Sequence, residues 1–306
     1  MTVTWRGVIP AMTTALDDDG AVDHAFVARH CRWMVDAGCA ALVPLGSLGE
    51  GATLGIEEKA ALLETIVGAV GDRVPIIPGI AALSTAEAVR LVRIAERAGC
   101  RGLMVLPPYV YSTDWREMKA HVATVIAATP LPVMLYNNPA AYGTDFLPEQ
   151  IAELAAEHPN LAAVKESSGD TRRVTAIRAL VGERLSILAG LDDGVVEGVQ
   201  AGAVGWIAGL VNAFPRESVA LFDLAVQVRD GRGDRAALDA LYAWFLPLLR
   251  LDTLPKFVQY IKLAQERVGM GSARVRPPRL PLAGQERENT LRLIEEALAH
   301  RPAITA

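Results

Sequence analysis

Leu161-Ala-Ala-Val-Lys165-Glu-Ser-Ser-Gly-Asp170 carries the strongest structural signal in the chain. Its first four residues are apolar, and a short unbroken apolar run predicts a parallel strand that is covered on both faces. The run ends in Lys165, and a Ser-Ser-Gly-Asp turn then leads into a helical pattern over 171–180. The stretch therefore predicts a strand–turn–helix unit with a lysine at the carboxyl end of its strand.

Lys165 has two interpretations at this position. A charged lysine at the end of a buried strand is costly unless it is paired or neutral. Desolvation lowers the pKa of a lysine, and only the neutral amine attacks a carbonyl carbon to form a Schiff base. The plainer interpretation is a lysine whose amine extends from the strand edge into water. The rest of the chain has to decide between them.

The strand–helix unit recurs along the chain. Apolar runs bounded by turn residues predict strands in 7–12, 40–45, 74–79, 102–106, 131–136, 161–165, 185–189 and 203–207. Strict alternation with helices implies parallel strands, and eight such units in about 230 residues match a TIM (β/α)8 barrel. A doubly wound sheet is the competing architecture, but no Gly-x-Gly-x-x-Gly dinucleotide fingerprint follows a strand. We therefore expect a TIM barrel of the α/β class.

Beyond residue 230 the pattern changes to helices alone. Helices are predicted over 235–249, 255–267 and 285–298, and the segment 274–281 is a basic, proline-rich linker. We expect a barrel domain in 1–230 and a C-terminal helical region in 231–306 that packs on it.

Composition limits the partners. The net charge of −5 in 306 residues leaves no basic excess for nucleic acid or an anionic membrane, and no apolar run is long enough to span a bilayer. The three cysteines and five histidines show no metal-ligand spacing, so no metal site is expected. An odd number of cysteines and no signal-peptide pattern favour the cytoplasm.

Three motifs end predicted strands and should meet on one rim, because the active site of a TIM barrel lies at the carboxyl ends of its strands. They are Gly46-Ser47-Leu48-Gly49-Glu50, Tyr136-Asn137 and Lys165. An amine that forms an imine, a phenol that carries protons, and turn amides that bind a carboxylate make a coherent set. Each also has a plainer explanation: Tyr136 as a half-buried core aromatic, and the glycine-rich stretch as a tight turn.

Other polar and aromatic residues receive structural roles. Tyr109 and Tyr111 suit packing at a surface or an interface. Glu50 is expected to cap or pair locally, without a chemical role. Asp192 and Asp193 are expected to be an N-cap pair for the helix that follows them.

With these motifs the sequence resembles the dihydrodipicolinate synthase / N-acetylneuraminate lyase family over residues 7–215, and more weakly beyond. The stretch 46–50 resembles the family's Gly-Thr-Thr-Gly-Glu carboxylate loop, 136–139 its Tyr-Asn-x-Pro motif, and 164–166 its Schiff-base lysine strand. The resemblance implies a TIM barrel with a helical tail, usually a homotetramer. It also implies 2-keto acid chemistry through a lysine imine, with no metal or organic cofactor.

The resemblance assigns roles residue by residue. It implies catalytic roles for Lys165, Tyr136 and Ser47. It implies substrate-binding roles for Gly46, Leu48, Asn138, Gly190 and Ile207.

Departures from the family pattern reduce the number of family activities that this chain is expected to have. The synthase has an arginine for its second substrate's carboxylate where this chain has Ala141, and its second loop threonine is Leu48 here. Its neighbour-subunit tyrosine falls on Val110, between Tyr109 and Tyr111. Losing the arginine removes a charge-assisted grip on a carboxylate, which argues against lysine synthesis.

Four further segments have sequences that most resemble the deaminases of hydroxyproline breakdown, namely 165–173, 189–193, 205–209 and 212–215. These deaminases act on Δ1-pyrroline-4-hydroxy-2-carboxylate. The nearest rival is a 2-keto-3-deoxy sugar acid aldolase or dehydratase, which needs more polar contacts, so an apolar cavity would favour the deaminase. A synthase-like enzyme is the other enzymatic alternative. Outside enzymes, the same barrel could serve as a small-molecule sensor.

Overall fold

The apolar runs form one curled parallel sheet. The computed structural model describes residues 2–108 and 114–304, and the predicted roles of Tyr109, Val110 and Tyr111 fall outside this range. The sheet order is β1-β7-β6-β5-β4-β3-β2. The strands in this range are β1 Gly7–Pro10, β2 Gly79–Ile80, β3 Leu103–Val105, β4 Val133–Asn137, β5 Leu161–Glu166, β6 Ser186–Ala189 and β7 Gly205–Ala208.

Helices alternate with the strands and cover the outside of the sheet. Asp23 and Ser84 are N-caps of two of these helices, each side chain accepting a hydrogen bond from a first-turn backbone N–H. The helices are α1 His24–Asp36, α2 Ile56–Val70, α3 Thr85–Arg97, α4 Trp115–Ala127, α5 Pro139–Tyr142, α6 Pro148–Glu157, α7 Arg172–Val181, α8 Val195–Gln200, α9 Pro215–Arg229, α10 Arg235–Leu249, α11 Phe257–Arg267 and α12 Gly284–Ala299.

The predicted strand over 40–45 is the main departure from the expected eight. It is reduced to two parallel bridges, Ala11 to Val43 and Leu42 to Ile76. Proline residues at 44, 75 and 78 explain the shortening, because proline has no N–H to donate to a ladder. Backbone bonds from the N–H of Val43 to Pro10 O (2.8 Å) and from that of Ile77 to Leu42 O (2.9 Å) still join the two edges of the sheet. The sheet therefore closes into the predicted TIM barrel.

Side chains alternate between the inside of the barrel and the layer under the helices. Met134, Tyr136 and Ala163 belong to the inner cluster, whereas Leu135 and Val164 pack with the helices. Because successive side chains of a strand point to opposite faces, Lys165 shares the inward direction of Ala163. The strand pattern alone thus directs the lysine into the barrel.

The C-terminal helices pack against the last barrel helix and over the top of the barrel. Helix α10 contacts α9 and α12, and Phe245 of α10 lies 5.8 Å, centroid to centroid, from Phe214. Val258 and Ile261 of α11 pack on Leu48. The division into a barrel of 1–230 and a helical region of 231–306 remains a proposal, which these contacts support. Within the described residues, no helix combines the length and apolarity needed to cross a membrane.

Candidate active site

Lys165 lies inside the barrel beside Tyr136. The two residues are partners across the β4–β5 ladder, and the Nζ atom of Lys165 is 4.0 Å from the centroid of the Tyr136 ring. Lys165 is only 6% exposed, so its amine does not extend into water. Burial lowers the pKa of Lys165, while Tyr142, Asp252 and Asp192 oppose this shift. The amine is therefore neutral more readily than that of a surface lysine.

A cavity of about 750 Å³ opens at the carboxyl end of the barrel around this amine. All eight residues to which the sequence analysis assigns site roles line it. They are Gly46, Ser47, Leu48, Tyr136, Asn138, Lys165, Gly190 and Ile207. The structure thus brings the set together, and the role of each residue stays a prediction.

The loop 46–50 is a strained turn with free amides. Leu45 and Glu50 have positive φ angles of 65° and 54°, which is unusual for residues other than glycine. A Cβ at Gly51 would lie 2.3 Å from the carbonyl oxygen of Leu45, so the turn needs glycine there. The backbone N–H groups of Ser47 and Leu48 donate to no acceptor among the described residues. Two such N–H groups at a cavity wall can receive an anion.

Tyr142 is a cavity residue that the sequence analysis missed. Its hydroxyl is hydrogen-bonded to Ser47 Oγ, and its ring meets that of Tyr136 edge-on at a centroid distance of 5.5 Å. Ser47 therefore connects to Tyr136 through Tyr142. Burial raises the pKa of both tyrosines, so both remain protonated and able to donate. The motif ended at Pro139 in our interpretation, whereas α5 carries Tyr142 back over the cavity.

Asn138 fixes the Tyr136 hydroxyl and starts α5. Its Nδ2 donates to Tyr136 Oη (3.0 Å), and its Oδ1 accepts from the backbone N–H of Ala141 (3.0 Å). Because the cap bond holds Oδ1 at the start of α5, the amide nitrogen is directed to the phenol. Asn138 can therefore hold Tyr136 in position.

Gly190 gives the lysine its space. A Cβ at this position would lie 1.9 Å from Ser167 Oγ and 2.9 Å from Lys165 Cε. Any side chain here would displace the serine or the lysine. Ile207 of β7 lies on the inner face of the barrel and adds an apolar wall.

Glu50 does not pair locally, which corrects our expectation. It is buried, and its Oε1 accepts from Lys262 Nζ of α11 at 2.5 Å, 212 positions along the chain. Its Oε2 accepts from the backbone N–H of Arg276 (2.9 Å). The carboxylate thus fastens the 46–50 loop to the C-terminal region. Sequence spacing carries no signal for a contact this remote.

Asp192 is not half of an N-cap pair, which is a second correction. It is fully buried and accepts from Trp206 Nε1 (3.0 Å), Gly209 N (3.0 Å) and Leu210 N (2.7 Å). Burial raises the pKa of Asp192 to about 6, against these bonds. Its carboxylate holds the turn after β7 in place.

Asp252 is a second cavity residue that the sequence analysis missed. It lies in the 3-10 turn Arg250–Thr253, between α10 and α11, and lines the same cavity as Lys165. Nothing in the helical pattern around it marks a site residue. Among the described residues, no group of three or more His, Cys, Asp or Glu side chains could hold a metal ion.

A barrel whose cavity holds a buried lysine amine at a strand end is the arrangement of class I lyases, which form a lysine Schiff base. The model of the dihydrodipicolinate synthetase family matches residues 4–297 of this chain. The chain therefore belongs to this family of lysine-imine lyases.

Relatives in sequence span nearly the whole chain. The 4-hydroxy-tetrahydrodipicolinate synthase of Xanthomonas axonopodis pv. citri is 35% identical over 96% of this chain and 95% of its own length. That of Geotalea daltonii is 30% identical over 95% of this chain and 98% of its own.

Solved structures agree with the fold along their full length. Dihydrodipicolinate synthase from Acinetobacter baumannii, solved with pyruvate, is 27% identical with a TM-score of 0.89, covering 96% of this chain and 99% of its own. The E. coli K12 prophage protein YagE, also solved with pyruvate, is 28% identical with a TM-score of 0.88, covering 97% and 99%.

Gly190→Ala is expected to slow imine formation roughly 100-fold, because displacing a reacting group by about 1 Å has an effect of that order. The new methyl group would push on Ser167 Oγ and Lys165 Cε. The measurement is the rate of borohydride-trapped pyruvate adduct, followed by intact mass. Gly194→Ala is the matched control, since a Cβ there meets nothing within 4 Å. Equal rates for the two variants would contradict the expectation.

Proposed function

We propose that Lys165 forms a Schiff base with C2 of a small 2-oxo or cyclic 2-imino acid. The inward direction of the side chain, its burial and its lowered pKa support a neutral amine that attacks C2. Tyr136, whose ring lies under the amine, is proposed to relay protons to and from the forming imine. Ser47 assists through its hydrogen bond to Tyr142.

The substrate carboxylate is proposed to bind the turn 46–50. The unpaired N–H groups of Ser47 and Leu48 face the cavity and suit a carboxylate next to C2. Gly46, Asn138, Gly190 and Ile207 are proposed to complete this end of the site.

The substrate we propose is Δ1-pyrroline-4-hydroxy-2-carboxylate, and the position of Ala141 carries the proposal. Ala141 lines the cavity where the synthase pattern has an arginine, and Ala140, Leu191 and Leu254 line it too. A ligand with one carboxylate needs no second cation, and an apolar wall leaves few polar groups of a sugar acid satisfied.

The reaction then proceeds from the amine of Lys165. The amine adds to C2, the C2–N bond of the ring breaks, and the open chain stays attached as an imine. Proton loss from C3 gives an enamine, whose electron pair expels the C4 hydroxyl as water. Loss of a proton from C5, with protonation at C3 and C4, then converts the terminal amine into an imine at C5. Hydrolysis of this imine releases ammonia, and hydrolysis of the lysine imine releases 2-oxoglutarate semialdehyde.

The second candidate is 4-hydroxy-tetrahydrodipicolinate synthase, the name of the sequence relatives. One observation on this chain favours it. Arg279 lines the cavity, with its Nη1 3.8 Å from Glu50 Oε2 and 28% of the side chain exposed. A guanidinium there could bind a second carboxylate in place of the missing arginine.

Product analysis of the purified protein separates the candidates. We expect ammonia from Δ1-pyrroline-4-hydroxy-2-carboxylate, no product in a 4-hydroxy-tetrahydrodipicolinate synthase assay, and no pyruvate from 2-keto-3-deoxygluconate. Synthase product without ammonia would establish the second candidate, and pyruvate without ammonia a sugar-acid aldolase. Ligand binding without turnover of any of the three would favour a sensor.

We also propose a homotetramer in the cytoplasm. Cys31, Cys39 and Cys100 are buried free thiols, a state that a reducing compartment maintains. Small acids are the proposed partners, and neither nucleic acid nor membrane is among them.

A further inference from the structure

Asp252 reaches the candidate site from outside the barrel repeat. Its turn lies between α10 and α11, yet its side chain lines the cavity that contains Lys165 and Tyr136. A Cβ built on Gly209 would lie 2.0 Å from Asp252 Oδ1, so the carboxyl group rests directly on the backbone that follows β7. Gly209 makes room for this acid in the same way that Gly190 makes room for the lysine.

The carboxyl group of Asp252 is not engaged in holding the fold. Within residues 2–108 and 114–304, its oxygens make no hydrogen bond, whereas neighbouring Asp192 accepts from three different groups. A partly buried acid without a partner is costly unless it is protonated or meets a ligand. Asp252 is therefore free to interact with a molecule in the cavity.

The charges around Asp252 favour its protonated form. Burial raises its pKa well above the ordinary aspartate value, and the nearby carboxylates of Asp192 and Asp193 raise it further. The Lys165 amine opposes this shift. A neutral carboxyl in such a place is a proton donor, as catalytic acids with raised pKa values are.

We infer that Asp252 is a catalytic residue, the general acid that protonates the departing C4 hydroxyl, an assignment that rests on the proposed deaminase function. The enamine pair moves from C2–C3 to form the C3–C4 double bond, and the C4–O bond breaks. The oxygen takes the Asp252 proton and leaves as water. The resulting Asp252 carboxylate then accepts a proton from C5, which conjugates the chain with its terminal nitrogen before hydrolysis.

This role predicts a variant that still forms the imine but no longer eliminates water. Asp252→Asn keeps the shape of the side chain and removes its acidity. We expect ammonia release to fall about 10²- to 10⁴-fold, the usual effect of losing a general acid. The borohydride-trapped adduct with Δ1-pyrroline-4-hydroxy-2-carboxylate should keep its C4 oxygen, which intact mass detects as one water more than the dehydrated adduct.

Two controls make the result specific. Trapping with pyruvate should proceed in Asp252→Asn at the wild-type rate, because that reaction has no hydroxyl to expel. Asp223→Asn removes an acid of α9 whose pKa is also raised by burial but which does not line this cavity, and it should release ammonia like the wild type.

Three other outcomes would contradict the assignment, each for a different reason. Wild-type ammonia release from Asp252→Asn would overturn the acid role and leave the deaminase standing. Loss of pyruvate trapping in Asp252→Asn would assign the residue to supporting Lys165, which also overturns it. Absence of ammonia from the wild type would show that the proposed function itself has failed, and this role with it.

Discussion

Lys165→Met is expected to reduce turnover roughly 10⁴- to 10⁶-fold, because removal of a covalent nucleophile leaves only binding and electrostatic effects. Methionine has a similar length and can pack against the Tyr136 ring in place of the lysine stem. The variant should therefore fold while losing the imine. The measurement is ammonia release, together with borohydride trapping of pyruvate followed by intact mass.

The matched control for this prediction is Lys59→Met. Lys59 of α2 is nearly as buried, at 8% exposure, and its pKa is also lowered by burial, but it lies outside the cavity. It should keep wild-type trapping. Wild-type imine formation should also increase as pH rises through the lowered pKa of Lys165, since only the neutral amine attacks. An adduct still formed by Lys165→Met would contradict the assignment of this lysine.

Lys262→Met is expected to destabilise the fold by about 3–5 kcal/mol, the usual effect of leaving one charge of a buried pair alone. Both side chains of the Lys262–Glu50 pair are only 2% exposed, at a separation of 2.5 Å. Arg279 is 3.8 Å from the other carboxylate oxygen and cannot replace the lysine without moving. The midpoint of thermal unfolding should fall on the order of 10 °C.

Two variants isolate the cause of that loss. The double variant Glu50→Gln/Lys262→Met removes both charges and should recover part of the stability. Lys256→Met breaks the exposed pair with Glu286, which contributes less than about 1 kcal/mol. Urea unfolding of the set gives the comparison. The buried pair contributes no more to stability than the exposed one if Lys262→Met lowers the free energy of unfolding no more than Lys256→Met does.

The barrel and the convergence of its strand ends could be predicted because both follow from local pattern. Apolar runs and their spacing gave the strands, and parallel strands necessarily present their carboxyl ends on one face. The residues at 46–48, Tyr136 and Lys165 therefore meet, although they are far apart along the chain. The length of the strand over 40–45 was overestimated, because the prediction used the apolar content of the segment and not the N–H groups that the prolines lack.

The remaining site residues are positioned by contacts between segments that are far apart in the sequence. Asp252 is brought to the cavity by the packing of α10 and α11, and Tyr142 by the four-residue helix that begins at Pro139. Asp192 looked like a cap because aspartates commonly begin helices, whereas its partners lie in β7 and in the turn that follows it. Such contacts depend on the assembled barrel, and sequence spacing does not encode them.

The bond between Glu50 and Lys262 has a consequence for synthesis of the protein. The turn proposed to hold the substrate leaves the ribosome early, but its anchor is 212 positions downstream. Until α11 has emerged and docked, Glu50 lacks its cation and the turn lacks its support. Because nascent chains fold from the N-terminus, a barrel released before α11 should have every strand in place and still lack a finished carboxylate turn.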